Sequence, residues 1–151
     1  MTLEADLGEA VGEKHVLVDP SVKATYETDW PRRFSGRARC VVRPADTQQG
    51  ASVLQICSRH RAAVVTQGGN TGLVGGGVPT DGEVVLSTSR LRHIGPVDVL
   101  TDQITVGADL TLAAPQQTVR PMGLDFGVDF AAPDSATIGG LVSPNAAGGG
   151  G

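Results

Sequence analysis

Thr66-Gln67-Gly68-Gly69-Asn70-Thr71-Gly72-Leu73-Val74-Gly75-Gly76-Gly77 follows the β-branched run Ala63-Val64-Val65 and leads, a few residues on, into Glu83-Val84-Val85-Leu86-Ser87. A glycine-rich segment between two strands is a loop whose backbone can reach left-handed dihedrals, approach a ligand closely and point successive N–H groups at one anion. No Lys or Arg lies between Arg61 and Arg90, so within this segment only backbone dipoles are available to hold a phosphate.

Three anion-binding patterns are relevant to such a loop. A P-loop requires a Lys after its glycines, and none is present. A dinucleotide fingerprint requires G-x-G-x-x-G opening a helix; glycines 68, 69, 72, 75, 76 and 77 never give that spacing, and a strand follows. The third pattern, a loop that wraps a dinucleotide pyrophosphate with backbone amides and has no helix behind it, fits best. A plain surface turn is the alternative.

Upstream, Arg39-Cys40-Val41-Val42-Arg43 reads as a strand closed by Pro44. Val53, Leu54, Ile56, Cys57 and His60 recur at helical spacing through Arg61, with Thr47 as the expected N-cap. Strand, helix and strand (63–66) form a βαβ unit from whose second strand the glycine-rich loop departs. Leu3, Leu7 and Val11 share one face of an opening helix, which Asp19-Pro20 interrupts. Tyr26, Trp30 and Phe34 are expected to anchor the arm 1–36 onto a domain running 37–151. Asp81-Gly82 marks a turn before the third strand, and the period-two segment Gln103–Ala108 predicts a fourth. Residues 111–120 have helical composition. Either that helix begins near Ala114 with Pro115 in its first turn, or Pro115 damages it.

Composition fits a single-domain length: 151 residues, 40% hydrophobic and 3% aromatic, so the core must be Val, Leu, Ile and Ala. A chain this long buries roughly 70% of its unfolded surface. A net charge of −4 argues against a nucleic-acid partner, and Arg32, Arg33, Arg37, Arg39 and Arg43 read as a solvated surface or a docking patch. Cys40 and Cys57 lie in apolar runs without metal-ligand spacing, as small buried hydrophobes of a reducing compartment do. No metal site is expected. His15, His60 and His93 are scattered and read as structural. With no signal-like start and no long apolar run, the expected location is cytoplasmic, without a transmembrane segment. The closing run Gly148–Gly151 is a poor end for a compact domain. It reads as a flexible tail or, preferably, as a sign that the chain is the front part of something longer.

The segment Val64–Gly76 resembles the first FAD-binding loop of FAD-linked oxidases of the vanillyl-alcohol oxidase, or PCMH, type. The branch it is most similar to is that of the D-lactate, glycolate and D-2-hydroxyglutarate dehydrogenases. Supporting segments are Tyr26…Asp29-Trp30…Phe34-Ser35-Gly36, Val42–Thr47, Ile104–Ala108 and Ser135-Ala136-Thr137-Ile138-Gly139-Gly140. The resemblance implies an α+β, PCMH-type FAD-binding domain, incomplete: the first βαβ subdomain and the start of a second, with the FAD pyrophosphate between them.

It also implies roles. Gln67, Gly68, Gly69, Asn70, Thr71 and Gly72, with Leu73, Val74 and Gly75, would surround the pyrophosphate. Ser135, Thr137, Gly139 and Gly140 would contact the flavin side, and Asn145 would match the family's Asn-Ala-Gly-Gly segment. Covalently flavinylated relatives carry His where this chain has Asn70, so FAD is expected to be non-covalent. Leu141, Ser143-Pro144 and Ala147 depart from the family pattern. The implied reaction is oxidation of a small D-2-hydroxyacid with hydride passing to flavin N5. The substrate-binding residues and the electron acceptor are not identifiable in this chain, and no catalytic residue is assigned. A catalytically inactive FAD-binding module and an unrelated glycine-rich α/β domain are the alternatives.

Overall fold

The computed structural model describes residues 1–127 and 134–143, and the chain divides into two compact units, residues 1–90 and 91–151.

The first unit is built on a four-stranded sheet. Its strands are β1 (Val16–Leu17), β2 (Arg37–Val42), β3 (Val64–Gln67) and β4 (Asp81–Ser87), in the order β1-β2-β4-β3. β4 is parallel to both β2 and β3, and β1 is antiparallel to β2. The βαβ unit is therefore opened: β4, later in sequence, inserts between its two strands. Neighbouring parallel strands need a crossover of about a dozen residues or more, most often a helix. Between β3 and β4 residues 68–80 make it with no helix, so the glycine-rich loop is itself the crossover.

Helices α1 (Leu3–Val11) and α3 (Thr47–Arg59) contribute to one core with the sheet. Leu3, Leu7 and Val11 are buried there with Val53, Ile56 and Cys57, against Cys40, Val42, Val84 and Leu86. Val41 and Val85, on alternate strand positions, belong to a second cluster with Ala38. Ala38 shares parity with Cys40 but not its cluster, because the β2–β4 register shifts between them.

Helix α3 is capped one residue earlier than expected. Asp46, not Thr47, accepts from the Gln49 amide at 2.8 Å, while Gln49 Oε1 accepts from the Ala45 amide at 2.8 Å. This is a reciprocal cap. The helix stops at Arg59, and Arg61 takes a left-handed φ of +53°. Pro20 opens a short helix, α2 (Pro20–Lys23), capped by Asp19. The aromatic anchors are corrected: Tyr26 packs on the second cluster, but Trp30 is 75% and Phe34 45% exposed.

In the second unit β5 (Ile94–Asp98) pairs antiparallel with β6 (Gln103–Val106). β5 contains Gly95-Pro96 and a register irregularity, which hid it from a pattern reading. α4 (Ala113–Val119) carries Pro115 in its first turn, where a missing N–H breaks no helical bond. α5 (Ile138–Val142) is capped by Thr137, and Leu112, Ala136 and Leu141 form this unit's cluster.

Candidate functional site

The glycine-rich crossover begins at Gln67, the last residue of β3. Its side chain is buried, and Nε2 donates to the Tyr26 carbonyl at 2.9 Å and the Gly77 carbonyl at 2.7 Å, closing the two ends of the loop onto each other. Its own carbonyl accepts from the Thr88 amide at 3.0 Å. Inside the loop Asn70 takes φ +53° and Gly75 φ +72°. Left-handed positions of this kind let consecutive N–H groups converge on an anion. The Asn70 side chain donates from Nδ2 to the Thr28 carbonyl at 2.8 Å, so it ties the loop down from within.

The remaining ties come from the turn that follows Thr28. Asp29 is buried, and its Oδ1 accepts from the Arg33 amide at 2.8 Å and the Phe34 amide at 2.9 Å. A bridge between Thr28 and Ser35 closes the turn, with Arg32 at φ +56°. So fixed, Arg33 Nη2 donates to the Leu73 carbonyl at 2.6 Å, and the Phe34 ring lies against Gly75. The Pro79 and Thr80 carbonyls come so close to Gly36 that a side chain there would overlap them.

Within this frame the loop amides are left open. Among the described residues, none of the N–H groups from Gly68 to Gly77 has an acceptor, while the next amide, Val78, donates to the Gly75 carbonyl at 3.0 Å. Gly68, Gly69, Thr71, Gly72, Leu73, Val74 and Gly76 are exposed. A phosphate oxygen can only accept, and a row of unpaired donors with no carboxylate hydrogen-bonded to it suits such a group. The donor set fits a pyrophosphate.

The second motif sits differently. Ile138 N donates to the Leu110 carbonyl and Gly139 N to the Ala108 carbonyl, both at 2.8 Å, and Thr111 bridges Thr137. Thr137 Oγ1 accepts from Gly140 N at 3.3 Å. A Cβ on Gly139 would stand 2.8 Å from that of Ala108, so packing alone requires this glycine. Thr137 is buried in these roles; Ser135 is exposed. Asn145 lies outside the described residues, as do Pro144, Ala147 and the terminal glycines. Of the residues seen at the first loop, Asp29 and Phe34 belong in sequence to the motif Asp29-Trp30…Phe34-Ser35-Gly36 and Arg33 to the basic cluster of the arm, and nothing in either predicts contact with a segment some forty residues on.

Among the described residues no group of His, Cys, Asp and Glu is placed to hold a metal ion, and no helix is long and apolar enough to cross a membrane.

Residues 38–151 match the family described as FAD binding domain, and the chain belongs to that family. Its cofactor is FAD. The chain is 36% identical over 140 residues to the mitochondrial D-2-hydroxyglutarate dehydrogenase of Arabidopsis thaliana, covering 93% of this chain and 25% of the relative. It is 34% identical over 142 residues to the D-2-hydroxyglutarate dehydrogenase of Xanthomonas citri pv. viticola, covering 94% and 30%. It thus spans about a quarter to a third of the length of these relatives. Among solved structures, p-cresol methylhydroxylase superposes with a TM-score of 0.76 at 20% identity, over 95% of this chain and 28% of that one. An alkyldihydroxyacetonephosphate synthase gives 0.85 at 15%, over 97% and 32%. The fold is therefore that of the PCMH-type FAD-binding domain.

Proposed function

We propose that this chain is the FAD-holding part of a flavin-dependent dehydrogenase of a D-2-hydroxyacid, and that the 68–77 loop seats the FAD pyrophosphate. The observation that carries the loop assignment is its run of amides with no acceptor among the described residues, framed by Gln67 and Asn70. The substrate class rests on the names of the relatives. When bound, FAD supplies the hydride acceptor. The residues of this chain bind and orient: loop amides take the phosphate oxygens, and the Gln67, Asn70 and Asp29 hydrogen bonds hold those amides in place beforehand.

Attachment is non-covalent in this reading. The loop contains no His, Cys or Tyr to bond the flavin, and Asn70 takes the position at which covalently flavinylated relatives carry His. Acid precipitation of the flavin-loaded protein should leave all flavin in the supernatant; yellow colour in the pellet would contradict this.

Gly76→Asp tests the site. A Cβ at Gly76 meets nothing within 4 Å, so the side chain has room, but its carboxylate opposes a pyrophosphate on the loop. The expected result is FAD binding by the wild-type chain and its loss in Gly76→Asp at unchanged thermal midpoint. Equal FAD affinity in the two proteins would move the pyrophosphate elsewhere. For the reaction, anaerobic mixing of the FAD-loaded chain with D-2-hydroxyglutarate or D-lactate should leave the flavin oxidised, since binding and orientation are its contribution. Bleaching would assign the substrate chemistry to this chain as well.

A further inference from the structure

The loop sequence has no cation of its own, yet the fold brings one to it. Arg33 Nη2 donates to the Leu73 carbonyl at 2.6 Å, across forty residues of chain. Its backbone is not free to wander, because buried Asp29 holds both its amide and that of Phe34, and Phe34 in turn packs on Gly75. The guanidinium has no acidic partner among the described residues, so the Leu73 carbonyl is the acceptor that fixes it.

A trans peptide is planar, and its C=O and N–H point to opposite sides. Holding the Leu73 carbonyl toward Arg33 therefore turns the Val74 N–H away from Arg33. That amide has no acceptor among the described residues. If the Leu73–Val74 peptide turned over, it would present a carbonyl oxygen where a donor now stands, and an oxygen repels phosphate.

We propose that Arg33 is a positioning residue for the FAD pyrophosphate: it locks the Leu73–Val74 peptide in the orientation that offers the Val74 N–H to the ligand. This rests on the loop being the pyrophosphate seat. It assigns to a side chain outside residues 38–151, the stretch that matches the family, a part in cofactor binding.

The test compares wild type, Arg33→Gln, Arg33→Lys and Arg37→Gln as full chains, titrated with FAD and separately with riboflavin, which has no phosphate. One hydrogen bond to a charged group corresponds to a loss of about tenfold or more in affinity. Arg33→Gln should bind FAD about tenfold more weakly and riboflavin as wild type does, with an unchanged thermal midpoint. Arg33→Lys, which can still donate to the carbonyl, should recover part of the loss. Arg37→Gln, which removes a charge from the same cluster, should match wild type. The tenfold gap should persist at about 1 M salt, where the screening length is only about 3 Å.

Equal FAD affinity in wild type and Arg33→Gln overturns the proposal. So does a gap that closes at high salt, which would make Arg33 a bare charge, or an equal loss for riboflavin. Retained FAD binding in Gly76→Asp would instead remove the loop assignment, and this inference with it. Loss in Gly76→Asp with no effect of Arg33→Gln would sink the Arg33 role alone.

Discussion

The Phe34 ring occupies the space that a side chain at Gly75 would need. An ideal Cβ on Gly75 falls 2.6 Å from Phe34 Cγ, and Gly75 has φ +72°. Phe34 thus dictates which amino acid a loop some forty positions later can carry. Gly75→Ala meets two penalties, a left-handed backbone worth about 1–2 kcal/mol and a steric one that the half-exposed ring can partly relieve by moving. Weakened FAD binding and a lower melting midpoint are expected. In a Phe34→Ala background the steric part disappears while the backbone part remains, so a double-mutant cycle should give a coupling of about 1 kcal/mol. Strict additivity would show that ring and loop are energetically independent.

Gln67 closes the loop on itself, and its replacement separates shape from hydrogen bonding. Gln67→Leu keeps the bulk but leaves the Tyr26 and Gly77 carbonyls without their buried donor. An unsatisfied buried group costs about 1–3 kcal/mol, so a loss of about 2 kcal/mol is expected in urea unfolding, together with weaker FAD binding. Gln67→Glu, with acceptors facing acceptors, should be worse. A Leu variant as stable as wild type would mean that the loop closes without this amide.

What the sequence disclosed depended on how local the cause was. The spacing of Leu3, Leu7 and Val11 gave α1, and all three are buried. Val84-Val85-Leu86 gave β4 because β-branched and apolar residues at consecutive positions suit a strand covered on both faces. The glycines gave a loop with left-handed positions because few other residues allow φ near +72°. The insertion of β4 between β2 and β3 was not legible, since strand order is decided by long-range packing. Neither was the Arg33–Leu73 contact: an exposed Arg in a basic cluster carries no mark of its partner. Gly139 carries a constraint the sequence does not show, because its close packing against Ala108 already requires a glycine there.

Burial makes the two thiols inert. Desolvation pushes Cys40 up to about 11 and raises Cys57 as well, and both lie in the first unit's core. The thiolate is the reactive form, so folded protein at neutral pH should resist iodoacetamide, and both residues should alkylate once denaturant unfolds the unit. The labelling rate should follow the unfolding equilibrium rather than the pH of the native protein. Rapid modification of native protein would place a cysteine at the surface.

Acid should loosen α1. Asp6 Oδ2 sits 2.7 Å from His60 Nε2, and that hydrogen bond is the main cause holding the Asp6 carboxyl below its ordinary 3.8. Glu4 is lowered from 4.5 chiefly by its bond to Arg39, with Oε1 2.7 Å from Nε. A carboxyl whose pKa is lower folded than unfolded binds more protons when unfolded, so its contribution is complete above the ordinary value and disappears as pH falls through the folded value. Both pairs join α1 to its neighbours, Asp6 to the residue capping α3 and Glu4 to β2. The urea midpoint should therefore fall as pH drops below about 4.5, and Asp6→Asn should flatten part of that fall while lowering the midpoint near neutrality. Glu4→Gln should do less, because its pair is more exposed and surface ion pairs contribute little. Parallel pH profiles for wild type and Asp6→Asn would show that the Asp6–His60 pair is not coupled to folding, and α1 would then be held by Leu3, Leu7 and Val11 alone.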